Sequence, residues 1–200
     1  MIKLFRHGPA MATAALVLWG CGSYPLPKVY VLGDPAPPSP GVSSDAGLPV
    51  LELRTVSVPD YVDTTDILRR AGPNQVTASP TGRWGERVSV GLTQALSAAL
   101  SRRLPGVIIQ TRSAYEPPRR ILVDIQRFEI AADGQCILAA RWGITSPDGK
   151  SPPWTDQGTF VETESAPTDA AAASAMTSAT NQLADHIAET VRRALANRSG

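Results

Sequence analysis

The first twenty residues have the pattern of a secretory signal, and this pattern limits how much of the chain is left to fold and where it folds. The first seven residues contain Lys3 and Arg6 and no acidic residue, and residues 10–19 are almost wholly apolar. Ten residues of helix rise only about 15 Å, half the hydrocarbon thickness of a bilayer. We therefore expect residues 1–20 to be a cleaved signal peptide and not a membrane-spanning helix.

Cys21 follows the apolar segment and ends the tetrapeptide Leu18-Trp19-Gly20-Cys21. This tetrapeptide resembles the bacterial lipobox, which has Leu three residues before an invariant Cys and a small residue directly before it. Trp19 departs from the small residue usual at the middle position. The resemblance implies that Cys21 is the lipid attachment site, carrying a diacylglycerol thioether and an N-acyl chain such as palmitate. Several acyl chains hold a protein lastingly on a membrane, since each buried methylene adds about 0.8 kcal/mol. The alternative is an ordinary signal peptide with an incidental cysteine.

Residues 21–28 are predicted to form a short lipidated tether. The seven residues after the cysteine reach at most about 25 Å when extended, so the domain is expected to lie close to its membrane. The first of them is Gly22, whereas in many Gram-negative bacteria an Asp at this position retains a lipoprotein at the inner membrane. This interpretation places the protein on the cell outer membrane, with its domain on the periplasmic face.

The charge of the chain argues against a nucleic-acid partner. The sequence has 19 basic and 18 acidic residues, and removal of Lys3 and Arg6 with the signal would leave it close to neutral. No basic run is longer than a pair. A nearly neutral chain of this kind has little attraction for nucleic-acid phosphates.

Few residues of the mature chain could carry chemistry. Cys136 would be the remaining thiol, and its apolar surroundings predict a small buried hydrophobe. His186 would be the remaining histidine, with only Asp185 and Glu189 near it at ligand spacing. A structural zinc site needs four converging ligands and a catalytic one three, and a serine nucleophile needs a base. We therefore expect no metal, no cofactor and no catalytic residue.

A second candidate for chemistry is a series of carboxylates at three-residue intervals, Asp60, Asp63 and Asp66. Two carboxylates could serve a glycosidase. A polar loop after Pro59 explains the series better, and neither a Gly-x-Ser-x-Gly elbow nor a phosphate-binding glycine loop is present. The sequence thus predicts a protein that is not an enzyme.

Short runs of alternating or continuous apolar residues predict a series of strands. Ala132-Asp133-Gly134 is a hairpin signal between two of them. Ile121, Val123 and Ile125 alternate, whereas Phe128 and Ile130 do so one residue out of register, which predicts a bulge near residues 126–127. The predicted strands are 29–32, 50–58, 67–70, 75–77, 107–110, 119–130, 136–144 and 155–162.

Two segments have helical periodicity. Over residues 84–104, Trp84, Val88, Leu92, Leu96 and Leu100 recur at four-residue steps, and Pro105-Gly106 follows. Over residues 169–197 a longer apolar stripe recurs at the same spacing. Its members are Ala172, Met176, Ala179, Leu183, Ile187, Val191 and Leu195.

This order of elements predicts an α+β fold, a mainly antiparallel sheet with two helices packed on one face. Residues 29–200 would form a single periplasmic domain. Residues 33–49, rich in proline, would be an exposed loop within it.

The mature chain also resembles the ABC-type transport auxiliary lipoproteins of the PqiC (YmbA-like) family. The resemblance begins at the lipobox and continues over most of the chain, with Val62 standing where the family often has Leu. The segments that carry it are Cys21, 28–32 (KVYVL), 56–63 (VSVPDYVD), 83–86 (RWGE), 100–105 (LSRRLP) and the strand pair after residue 119.

The resemblance implies a non-catalytic auxiliary or docking subunit of an intermembrane lipid transport and membrane-integrity system. The implied partner is the MCE-domain periplasmic subunit of a Pqi-like transporter, and homo-oligomers are left open. Cys21 is the one functional residue that the family carries over. Two alternatives remain: an accessory lipoprotein of another envelope assembly machine, and a lipid-modified hydrolase, which the scarcity of histidine opposes.

Overall fold

The computed structural model describes residues 26–34, 48–112, 119–145 and 154–196. Within them the chain forms eight strands and two helices. In chain order they are β1 (Lys28–Tyr30), β2 (Val50–Leu53), β3 (Asp66–Gly72), β4 (Gln75–Trp84), α1 (Val88–Arg103), β5 (Ile108–Gln110), β6 (Arg120–Ile130), β7 (Gln135–Ile144), β8 (Trp154–Thr163) and α2 (Asp169–Ala196). Most of the predicted 33–49 loop lies outside the described residues.

The long strand β6 organises the sheet. One edge of β6 pairs with β7, and β7 pairs with β8, so these three strands form an antiparallel meander. The other edge of β6 is shared by two smaller groups of strands. Its beginning pairs with β2, where Glu52 lies opposite Arg120, and its end pairs with β3, where Arg69 lies opposite Ile130. β2 continues to β5, and β3 continues through β4 to β1.

The prediction of a mainly antiparallel sheet is wrong, because the sheet is mixed. Of the seven strand pairings formed by the described residues, four are parallel: β1 with β4, β2 with β5, β2 with β6 and β3 with β6. The antiparallel pairs join strands that are neighbours in sequence, so a turn signal between two strands can predict their pairing. The parallel pairs join strands that are distant in sequence and need a crossover connection, which no local turn signal reveals.

Both helices cover the same face of the sheet. The stripe predicted for α2 is confirmed: Ala172, Met176, Ala179, Leu183, Ile187 and Val191 are buried, and Leu195 is packed against the core. From α1, Leu92, Leu96 and Leu100 enter the same apolar cluster. Arg103 of α1 also binds Asp185 of α2 through two hydrogen bonds of 2.6 and 3.1 Å. The helices therefore form one layer.

The predicted bulge in β6 is confirmed. Ile125 pairs with Ala140 and Arg127 with Ala139, so one extra residue stands between them on β6. Because side chains alternate along a strand, this extra residue returns Phe128 to the helix-covered face already occupied by Ile125. Both side chains are almost fully buried. The hairpin that follows turns at Gly134, whose φ is +83°.

The start of α1 differs from its prediction. The helix begins at Val88, and Trp84 is instead the last residue of β4, with its side chain buried. Asp63 explains the start of α1, because its carboxylate accepts a hydrogen bond of 3.0 Å from the amide N–H of Ser89. A carboxylate from a distant loop thus satisfies a free N–H at the helix N-terminus, where negative charge is favourable. Four-residue spacing alone could not separate Trp84 from the helix.

Strands β2 and β4 also differ in length from their predictions. β2 ends at Leu53, and beyond it only Ser57 makes a bridge, to Asp124. β4 has ten residues because its first part pairs with β3 and its last three residues pair with β1. Pro80 lies between these two parts, at a break in the register with β3. Glu52 is buried although it is charged, and it contacts the Arg120 side chain.

The amino-terminal segment is fixed between the helices. After β1 the Gly33 N–H donates a hydrogen bond of 3.2 Å to Thr177 Oγ1 on α2. On the other side, a Cβ placed on Gly33 would lie 2.8 Å from the Cβ of Ala95 on α1. The φ of Gly33 is +83°, a conformation that other residues adopt only with strain. Glycine is therefore required at this position for both backbone and packing reasons.

We expect Gly33→Ala to lower the free energy of unfolding by about 1 to 3 kcal/mol, because it adds backbone strain and a steric overlap. Gly106→Ala is the matched control, since no atom lies within 4 Å of a Cβ built there. Urea unfolding of the two purified variants measures the difference. An equal midpoint for Gly33→Ala and the parent protein would contradict this account of the segment.

Candidate functional site

The predicted lipid attachment site, Cys21, lies outside the described residues, which begin at Leu26. From there the chain enters β1 at Lys28 and runs parallel to β4. Neither α1 nor α2 is long and apolar enough to cross a bilayer. Because Cys21 lies outside the described residues, the lipid anchor stays a prediction. The structure gives the position from which the tether leaves the fold.

The face of the sheet opposite the helices is open, and side chains cross it in rows. In the first row Leu122 of β6 lies beside Gly143 of β7, which lies beside Thr155 of β8. Leu122 is 46% exposed, unusual for a leucine within a long strand. Because Gly143 has no side chain, the middle of this row is a hollow next to Leu122.

The second row is polar. Asp124, Arg141 and Gln157 lie opposite one another on the same three strands, and Arg141 Nε donates a hydrogen bond of 3.3 Å to Gln157. The exposed residues Arg54 and Thr55, which follow β2, form the other side of the hollow.

Together these rows form a groove of about 760 Å³, which we call the open-face groove. An apolar floor with a few polar groups at its margin is typical of binding sites. The sequence interpretation missed this site, although its signal was present: if Ile121 and Val123 face the core, Leu122 must face outward. The residues that define it are Arg54, Leu122, Arg141, Gly143, Thr155 and Gln157.

The far end of the open face holds a buried carboxylate. Glu129 is 1% exposed and accepts hydrogen bonds from Arg70, across the strand pair, and from Arg127 on its own strand. Burial acts to raise the pKa of Glu129, but the hydrogen bonds from the two guanidinium groups outweigh it, and the pKa lies below its ordinary value. This cluster joins β3 to β6 and is structural.

The residues of α2 that were considered for chemistry each have a structural partner. His186 packs on Phe160, with 5.1 Å between ring centroids, and near Trp142. Trp142 Nε1 in turn donates a hydrogen bond of 3.1 Å to Thr190. Asp185 binds Arg103, and this bond holds the pKa of the Asp185 carboxyl below its ordinary value. These groups pack the helix and do not form a nucleophile with a base.

Of the carboxylates after Pro59, Asp63 has a structural role. Asp63 accepts hydrogen bonds from Ser89 and Arg87, and these outweigh burial and lower the pKa of Asp63. Asp60 and Asp66 are exposed. Across residues 26–34, 48–112, 119–145 and 154–196, no group of three histidines, cysteines or carboxylates is placed to hold a metal ion.

Cys136 is a buried free thiol, as predicted. Burial is the main cause that raises its pKa to about 12, and the neighbouring carboxylates of Glu162 and Glu164 add to this effect. Because the thiolate is the reactive form of cysteine, Cys136 acts as an apolar core residue.

A family model matches most of the chain. The model for the ABC-type transport auxiliary lipoprotein component aligns with residues 30–188, from β1 to the middle of α2. The chain belongs to this family. The resemblance stated from the sequence motifs is thereby confirmed, and the matched residues include strands β2 to β8, helix α1 and α2 as far as Ala188.

Individual relatives are distant. The intermembrane transport lipoprotein PqiC of Escherichia coli (strain K12) is 24% identical over 129 residues, which cover 64% of this chain and 69% of PqiC, and PqiC of Shigella flexneri matches equally well. A solved structure of an uncharacterized protein superposes with a TM-score of 0.68 at 17% identity, covering 83% of this chain and 99% of that one. A protein from Xanthomonas campestris gives a TM-score of 0.63 at 17% identity, with 85% and 97% covered. These structures share the fold.

Glu129→Gln should lower the free energy of unfolding by about 1 to 3 kcal/mol at pH 7, because it leaves two guanidinium groups without their carboxylate. The folded pKa of Glu129 lies below its ordinary value of 4.5, so its stabilisation is complete above that pH. The stabilisation is lost as the pH falls through the lowered pKa. Urea unfolding of the variant and the parent at pH 7 and pH 3 measures the difference in their free energies of unfolding.

The matched control for Glu129→Gln is Glu189→Gln, which changes an exposed pair with Arg192 on one helix. Exposed pairs of this type contribute little, so the control should unfold like the parent at both pH values. A Glu129→Gln protein as stable as the parent at pH 7, or one whose deficit grows towards pH 3, would refute the assignment.

Proposed function

We propose that this protein is an outer-membrane lipoprotein, anchored through Cys21, that serves as a non-catalytic docking subunit of a Pqi-like intermembrane lipid transport system. Its partner is the MCE-domain periplasmic subunit of that system. In this role the lipid anchor holds one end of the assembly on the membrane, and the folded domain binds the far end of the transporter. Membrane integrity then depends on the connection.

Membership of the transport auxiliary lipoprotein family supports this proposal. The relative PqiC is named as an intermembrane transport lipoprotein, which agrees with a role between two membranes. The arrangement of potentially reactive groups supports a non-catalytic role, since His186, Asp63 and Cys136 each have a packing or capping contact that explains them.

The open-face groove is the observation that carries the docking role. Leu122 is an exposed apolar side chain beside a hollow, and Arg54 and Arg141 flank it. Interfaces commonly have an apolar centre with arginine among the surrounding contacts. Because the helices cover the opposite face of the sheet, a rigid partner can approach the strands directly from this side.

We expect Leu122→Glu to weaken binding to the MCE-domain subunit roughly tenfold or more, because it replaces the apolar centre of the contact with a charge that loses its water when the partner binds. Val161→Glu is the matched control: Val161 lies on the same open face, is 49% exposed and does not line the groove. Co-purification of the two lipidated variants with the transporter subunit, followed by titration, measures the difference.

Equal binding by Leu122→Glu and the parent protein would rule out the groove as the docking site. Recovery of a different envelope machine by the parent protein, with no MCE-domain subunit, would instead support the alternative of an accessory lipoprotein for another assembly. Leu122→Met keeps the apolar contact and should bind like the parent protein. This result would confirm that Leu122→Glu weakens binding through the lost apolar contact.

A further inference from the structure

Exposed apolar side chains are concentrated where the tether enters the fold. Leu26 is 91% exposed, Val29 57% and Val31 65%, and they lie within six residues of one another. Val29 and Val31 share one face of the edge strand: a Cβ built on Gly85 would be 3.3 and 3.5 Å from their Cγ1 atoms. We call Leu26, Val29 and Val31 the β1 strip. Contiguous exposed apolar groups of this kind usually mark a contact surface.

Basic side chains lie beside the β1 strip. Arg83 is in register with Val29 on the neighbouring parallel strand, so the two side chains project from the same face. Lys28 and Arg83 are both exposed, and Lys28 lies next to Leu26 on the other face of β1. Among the described residues neither forms an ion pair. Basic groups beside exposed valines are complementary to a surface that offers both apolar groups and negative charge.

The distance to the proposed lipid attachment site restricts what this surface can meet. Leu26 is five residues after Cys21, a span of at most about 18 Å when fully extended. A protein held by acyl chains at Cys21 therefore keeps Leu26, the first residue of the β1 strip, within that distance of the bilayer surface. A partner that enters from the periplasm would have to reach between the domain and its own membrane.

We propose that the β1 strip, with Arg83, rests on the phospholipid leaflet that holds the anchor. Val29 and Val31 contact the boundary between headgroups and acyl chains, and Arg83 lies beside them among the phosphates, where basic side chains are favoured. Leu26 and Lys28 reach the same leaflet from the other face of this edge strand. This contact orients the domain, so that its position on the membrane is set by the strip as well as by the tether. The inference rests on the proposed attachment at Cys21.

A fluorescent label on the β1 strip tests this contact in the full, lipidated protein. Val29→Cys is labelled with an environment-sensitive nitrobenzoxadiazole probe, and the protein is placed in vesicles of phosphatidylethanolamine and phosphatidylglycerol. Labelling is selective, because burial raises the pKa of Cys136 to about 12 and the sulfur of Cys21 is blocked by the diacylglycerol thioether of the proposed anchor. Thr159→Cys on β8, exposed at the opposite edge of the sheet, is the matched control.

The expected result is blue-shifted emission at position 29 and several-fold stronger quenching by nitroxide-bearing lipids there than at position 159. A second reporter, Val31→Cys, should behave like position 29, which guards against a local effect of one substitution. Equal, weak quenching at all three positions would overturn the contact and leave the anchor intact. A label shielded from water but not quenched by lipid would overturn it in favour of a protein partner.

Failure of the anchor gives a different result. If Cys21 carries no lipid, none of the labelled proteins floats with the vesicles, and both the attachment and the strip contact are refuted. If all of them float and only the quenching is absent, the attachment stands and the strip contact alone is refuted.

Discussion

The alanine-rich stripe of α2 lets this helix lie close to the sheet and cover one face of the β6–β7–β8 meander. Ala172, Ala179, Ala184 and Ala188 have no measurable exposure, and their short side chains permit a small distance between helix and strands. The larger residues Leu183, Ile187 and Val191 fill the remaining space; each such buried side chain contributes roughly 1.5 to 3 kcal/mol. Both helices are used on this one face, and the other face of the sheet stays open.

The same covering layer fixes the amino-terminal segment. Gly33 lies between Ala95 of α1 and Thr177 of α2, and β1 pairs with β4. The chain therefore leaves the fold in a defined direction towards the proposed anchor. A domain held in this way presents the β1 strip, at one edge of the sheet, to the membrane, and the groove on β6, β7 and β8 is free for a partner. Anchoring and docking thus use different strands of one sheet.

Local patterns in the sequence predicted those parts that depend on neighbouring residues. The stripe of α2, the hairpin at Gly134 and the bulge after Ile125 were all readable, because each is a periodicity or a turn within one short segment. The parallel pairing of β2 and β3 with β6 was not, since paired residues that are 61 and 68 positions apart carry no local signal of adjacency. The burial of Glu52 beside Arg120 follows from that pairing.

The candidate site was only partly predictable for the same reason. Leu122 faces outward by alternation with Ile121 and Val123, which the sequence shows. The hollow beside it requires Gly143 from β7 and the segment after β2, and only the assembled sheet brings these together. Trp84 gives the opposite case: it fits a helical spacing, yet its hydrogen bonding belongs to β4.

The central claim is that the open face, and not the helical layer, meets the transporter. Hydrogen exchange of the lipidated protein, alone and bound to the MCE-domain periplasmic subunit, tests it directly. The account predicts slower exchange in the complex for residues 54–58 and for the strand ends around Leu122 and Thr155, with α1 and the outer side of α2 unchanged. Slower exchange confined to the helices, with the open face unaffected, would contradict it.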